Sequence, residues 1–203
     1  VTGFERPAAG EVAVLGRPCT GVAPHRAPSL GLGRTFQSLE LLADLSVSEN
    51  VAVATGARPW WSLAVDLVVP TRSHRGTDAA VQAVLEDLDL VDVAERSPDE
   101  LSNGRRHVVA LARALAAGPR LLLLDEPAAG LDPTETTELA TVIRGLRERG
   151  ITILLVDHDM DLVLGICDQV LVLDGGRLIA AGPPDAIRRD PAVLAAYLGT
   201  EAP

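Results

Sequence analysis

Two hydrophobic patterns alternate along the chain. Continuous apolar runs occupy residues 121–124 and 151–156, the signature of strands enclosed on both faces of a sheet. Helical spacing occupies residues 77–88, where Ala80, Val81, Val84, Leu85 and Leu88 share a face. It returns at residues 102–117, with Val108, Val109, Leu111, Ala112 and Leu115 inward, and at 134–149, closed by Gly150. Shorter patterns predict strands at 11–15 and 33–36 and a helix at 47–54 capped by Ser46 or Ser48. A helix near 160–165, strands at 169–173 and 177–181 around Gly175-Gly176, and helices at 184–188 and 192–198 complete the order. Strands alternating with helices predict an α/β fold built on a parallel sheet. The apolar stretch 60–70, with Trp60 and Trp61, fits either local core or a contact surface, and a polar breaker at 71–76 follows it.

Chemistry in such sheets lies beyond the carboxyl ends of the strands. The first apolar run ends in Asp125-Glu126-Pro127 and the second in Asp157-His158-Asp159. Successive strand side chains point to opposite faces, so Asp125 and Glu126 have different tasks. One can hold magnesium through water while the other addresses a nucleophile. His158 projects toward the same crevice, where a neutral imidazole can meet a terminal phosphate or orient water; a loop histidine beside a capping Asp159 is the plainer alternative. Ser102 caps a helix whose first turn holds Asn103, Gly104, Arg105 and Arg106, followed by His107. Those basic groups oppose the helix dipole. A helix start left positive suits an external phosphate, and it equally suits an exposed cap with arginines in water. Asp132 with Pro133 reads as an N-cap and first helical residue. Gln37 carries an amide able to ligate a metal or bind water.

Composition narrows the classes. The 203 residues include 28 acidic and 18 basic side chains, a net charge of −10, which argues against a nucleic-acid partner held by bulk attraction. All the basic side chains are arginine, so a lysine Schiff base, lysine general base or phosphate-loop lysine is excluded from these residues. Cys19 and Cys167 cannot form a zinc site alone; one disulfide stays open, and reduced thiols fit better with nothing pointing to secretion. No run approaches the ~18 apolar residues of a membrane span. Residues 1–10 lack the basic and apolar regions of a signal peptide.

These residues in this order resemble the ATP-binding subunits of ABC transporters. LSNGRRHVVALARAL is similar to the signature motif and its helix, LLLLDEP to Walker B, AAGLDP to the D-loop, LLVDHDM to the switch-histidine strand, and Phe36-Gln37 to the Q-loop. The wording of GLGRTFQ, HDMDLVLGICDQVLVLDGGRLIAAGPPDAIRRDP and VLAAYLG is similar to the branched-chain amino-acid importer subgroup. The resemblance implies a P-loop NTPase core of the ABC type, with core-lobe residues 1–37 and 119–203 and a helical subdomain at 38–118. It implies ATP and magnesium as cofactors. Asp125 and Gln37 would attend the metal, Glu126 would polarise the attacking water, and His158 would contact the γ-phosphate. Ser102, Gly104 and Asp132 would act across a dimer on ATP held by a second nucleotide-binding subunit. Membrane permease subunits are the other implied partners, at the cytoplasmic face of the membrane. Three positions depart from the family. Asn103 and Arg105 replace Gly and Gln in the signature, and Asp157 stands where Glu precedes the switch histidine. Most consequentially, no G-x-x-x-x-G-K-[ST] is present, since Gly31-Leu32-Gly33-Arg34-Thr35 has the wrong spacing and no lysine. The expectation is therefore an ABC ATPase lacking its first strands and Walker A. The rival readings are a non-hydrolysing half-site and a soluble ABC ATPase of translation or DNA repair; for the latter no duplicated cassette or coiled-coil insertion is visible.

Overall fold

The computed structural model describes residues 2–35, 39–55 and 74–198. Gln37, Phe36, Trp60 and Trp61 lie outside the described residues. Three parallel strands form the central sheet in the order β3 (Leu32–Arg34), β4 (Leu121–Asp125) and β5 (Thr152–Val156). Their register pairs Leu123 with Arg34 on one side and with Leu154 on the other. Before the sheet comes a two-stranded hairpin, β1 (Ala13–Val14) with β2 (Arg17–Pro18). Its Val14 and Cys19 pack with Leu32 and Leu121 of the sheet.

The helices are α1 (Val47–Ala54), α2 (His74–Asp87), α3 (Asn103–Leu115), α4 (Pro133–Glu148), α5 (Met160–Ile166), α6 (Pro184–Ile187) and α7 (Pro191–Leu198). Ser46 caps α1 in a reciprocal arrangement with Glu49. Helix α2 begins at His74, so Gly76 lies in its first turn rather than in a breaker. Leu122 and Leu124 of β4 are fully buried and share one apolar cluster with Val109, Leu111 and Leu115 of α3 and Leu139, Ile143 and Leu146 of α4. That cluster extends without interruption to Val47, Val51, Leu85 and Leu90. Close approach explains one glycine in β3: a Cβ on Gly33 would stand 2.9 Å from the Ala114 carbonyl oxygen.

The second apolar run departs from expectation. Only Ile153 and Leu155 of β5 join the core, while Thr152, Leu154 and Val156 are exposed. Helices cover one face of this strand, and among the described residues no strand pairs with its outer edge. The last two strands, β6 (Val170–Asp174) and β7 (Arg177–Gly182), form an antiparallel hairpin apart from the parallel sheet. Val170 is buried there with Ile187 and Val193, but Leu171 and Leu173 remain 66% and 67% exposed. No helix of the described residues is long and apolar enough to cross a membrane.

Candidate functional site

The parallel sheet delivers its acidic and imidazole groups to one end, as the strand directions require. Asp125 is the last residue of β4, and Arg34, the last of β3, lies beside it. Arg34 Nη2 donates to Asp125 Oδ2 at 3.1 Å, and its Nη1 donates to Thr2 Oγ1 at 2.9 Å. The guanidinium also lies 5.5 Å from the centre of the Phe4 ring. Two adjacent carboxylates at a strand end repel each other unless a cation is near, and the structure supplies Arg34 beside the first of them.

Glu126 leaves the strand with a positive φ of 47°, a backbone region that costs a non-glycine residue about 1–2 kcal/mol. Its N–H donates to the Val156 carbonyl at 2.7 Å, and its own carbonyl accepts from Ala129 N–H at 3.1 Å. This turn brings the carboxylate toward β5, where His158 Nδ1 lies 3.9 Å from Glu126 Oε1. The second distance from that nitrogen, to Asp157 Oδ1, is 3.8 Å. Both exceed hydrogen-bond range, yet both place an 80% exposed imidazole over acidic oxygens. Asp157 is the reverse case. Its side chain is 2% exposed, Oδ1 accepts from Asp159 N–H at 3.0 Å, and Oδ2 is buried with no hydrogen-bond partner among the described residues. Asp159 caps α5 by accepting from Asp161 and Leu162 N–H.

The signature helix meets this turn from the other side. Ser102 caps α3 by accepting from Arg105 N–H at 3.3 Å. The acid that complements this positive helix start comes from α4: Gly104 N–H donates to Glu135 Oε1 at 2.8 Å. A Cβ at Gly104 would stand 3.0 Å from Glu135 Cγ, so glycine permits the approach. Glu135 also completes the capping box of Asp132 at the start of α4, whose carboxylate accepts from Thr134 and Glu135 N–H. Asn103 Nδ2 donates to the Gly130 carbonyl at 2.8 Å. Thus Asp125, Glu126 and His158 stand around one end of the sheet, while Ser102, Gly104 and Asp132 form a neighbouring group joined to it through residues 126–135.

The sequence reading missed three residues here: Arg34, Glu135 and His107. His107 was grouped with Arg105 and Arg106 as a basic residue of the helix start, but it is buried and its Nδ1 lies 2.6 Å from the Pro127 carbonyl oxygen. The spacing 107, 111, 115, with Leu111 and Leu115 inward, carried that signal. Burial pushes the His107 pKa below its ordinary 6.5, opposed by the Pro127 carbonyl and by Glu135. A depressed pKa means folding favours the neutral ring, so the related stability is complete above pH 6.5 and declines as pH falls below it. Urea midpoints measured from pH 7.5 to 5 should therefore fall for the parent protein and fall less steeply for His107→Asn. Cys19 and Cys167 are both free thiols; burial raises the Cys167 pKa, with Asp168 adding to the shift and Arg147 opposing it.

Residues 1–129 match the family model described as ABC transporter, and residues 177–203 match that described as branched-chain amino acid ATP-binding cassette transporter. The chain is 36% identical to the high-affinity branched-chain amino acid transport ATP-binding protein BraF of Pseudomonas aeruginosa, over 98% of this chain and 80% of BraF. The same figures describe its similarity to LivG of Escherichia coli, which bears the same functional description. Among solved structures, an ATP-binding cassette of an ABC transporter superposes with a TM-score of 0.83 at 30% identity, covering 98% of this chain and 80% of that one.

Proposed function

This chain belongs to the ABC transporter family of ATP-binding proteins, and from that premise we propose that its acidic strand end hydrolyses ATP to energise uptake of branched-chain amino acids. The observation that carries the reading is the meeting of Glu126 and His158 at the ends of adjacent parallel strands, with Asp125 alongside. The match of residues 177–203 supports the choice of solute. Core-lobe residues 1–37 and 119–203 and helical residues 38–118 follow the family's division, and Gln37 would complete the metal site.

Glu126 is the general base: it accepts the proton of a water aligned with the γ-phosphate. His158, exposed above Glu126, donates to an oxygen of that phosphate and keeps the water in line. Ser102 and the start of α3 face ATP on a second nucleotide-binding subunit, with Asp132 at the same interface. Membrane permease subunits receive the resulting motion, which places the protein peripherally on the cytoplasmic side. Magnesium suits the donor chemistry. It needs one or two hard carboxylate oxygens together with water and phosphate, and Asp125 already attracts a cation in Arg34. Asp125 and Gln37 would hold the ion, which would neutralise charge on the phosphates.

The test uses these 203 residues joined to a phosphate-binding loop, since the sequence itself carries no lysine. His158→Ala should lower steady-state phosphate release from Mg–ATP by about 10²-fold; unchanged turnover would overturn its role.

A further inference from the structure

We propose that His107 is the positioning residue for Glu126, holding the turn that carries the carboxylate by donating its Nδ1–H to the Pro127 carbonyl. The proposal rests on the reading of Glu126 as the base. Glu126 stands at φ 47°, a conformation that persists only where its surroundings fix it. On its N-terminal side the fixing is done by its own N–H, bonded to Val156 of β5. On the C-terminal side the next residue is proline, which has no N–H to offer. Glu126's own carbonyl is held only within the turn, by Ala129 N–H at 3.1 Å; the Pro127 carbonyl is the next backbone group along, and His107 of α3 meets it at 2.6 Å. An acceptor oxygen requires the hydrogen on Nδ1, so the tautomer is set by chemistry.

The helix that carries His107 is itself fastened to the same segment. Asn103 lies one turn earlier on the same face and donates to Gly130, and Gly104 N–H donates to Glu135. Three bonds thus tie one face of α3 to residues 127–135. His107, Glu126 and Pro127 also line one small cleft together with Thr35 and Leu124, so loss of the imidazole would leave the turn facing empty space. The signature helix in this way supports the base of its own subunit, while its exposed cap is directed elsewhere.

Two variants separate the claim from a mere packing role. Asn places an N–H close to the position of Nδ1, whereas Gln places it one bond further along. On the 203-residue chain, amide hydrogen exchange and the backbone carbonyl shift of Pro127 are measured for the parent, His107→Asn and His107→Gln. Protection of the Glu126 amide should drop at least tenfold in His107→Gln and return in His107→Asn. The parent's His107 ring should show the Nδ1–H pattern in its nitrogen shifts. If both variants keep the parent's Glu126 protection and Pro127 shift, or both lose them equally with the melting temperature, the proposal is overturned. In the loop-bearing protein, His107→Gln should lower kcat about tenfold at constant KM, with recovery in His107→Asn. Failure there with the exchange result intact would count against Glu126 as the base and leave its placement by His107 standing.

Discussion

Replacing Glu126 by Gln should lower ATP turnover by about 10³-fold or more in the protein that joins these residues to a phosphate-binding loop. The substitution keeps size and shape, so the turn held by Val156 and His107 persists. An amide cannot accept the water's proton, and a 10³-fold loss corresponds to about 4 kcal/mol of transition-state stabilisation. Nucleotide binding should survive, because Glu126 contributes to a proton transfer and not to the grip on the phosphates. Steady-state phosphate release and a separate ATP titration of the variant provide the check. Turnover within a few-fold of the parent would remove Glu126 from the role of base. The companion substitution Asp125→Asn should behave differently: it weakens the site's attraction for cations and should raise the magnesium concentration needed for half-maximal activity.

Much of this arrangement could be read from residue order. Four leucines followed by Asp125 and Glu126 specify a buried strand with its acids at the open end, and the structure places them there. Ser102 and Asp132 were legible as caps, and Ser46 as one of two candidates with Ser48, because such side chains satisfy N–H groups of the adjoining turn. What escaped were long-range pairings between polar groups. Arg34 meets Asp125 across 91 positions and Gly104 meets Glu135 across 31; periodicity says nothing about such partners. Asn50 shows the same limit inside a helix. It is fully buried, yet it accepts from Leu42 N–H and donates to the carbonyls of Leu42, Leu45 and Ser46, so a polar residue in an apolar helix face ties down the preceding loop. Exposure of Leu154, Leu171 and Leu173 was equally illegible, because an apolar run states a preference for burial and cannot say what covers it.

Titrated with Mg–ATP, the 203-residue chain by itself should show no saturable binding below about 1 mM, equivalent to less than about 4.1 kcal/mol of affinity. Triphosphate recognition needs a nest of available N–H groups and a mobile cation. No lysine exists to supply the cation. Around the glycine-rich piece, Gly31 N–H already donates to Pro28 and Thr35 N–H to Leu123, and Arg34 is engaged by Asp125 and Thr2. At the signature helix, Gly104 N–H is engaged by Glu135. A net charge of −10 adds repulsion toward a highly charged anion. Calorimetry reads this directly, and thermal unfolding reads it independently. A dissociation constant of 10 μM would stabilise the fold by about 2.7 kcal/mol at 1 mM ATP, a shift of several degrees that should be absent. Joining a phosphate-binding loop should restore saturation, whereas the signature face alone should engage ATP only when a second subunit presents it. Micromolar binding by the isolated chain would overturn this expectation and show that these residues grip a triphosphate without a lysine.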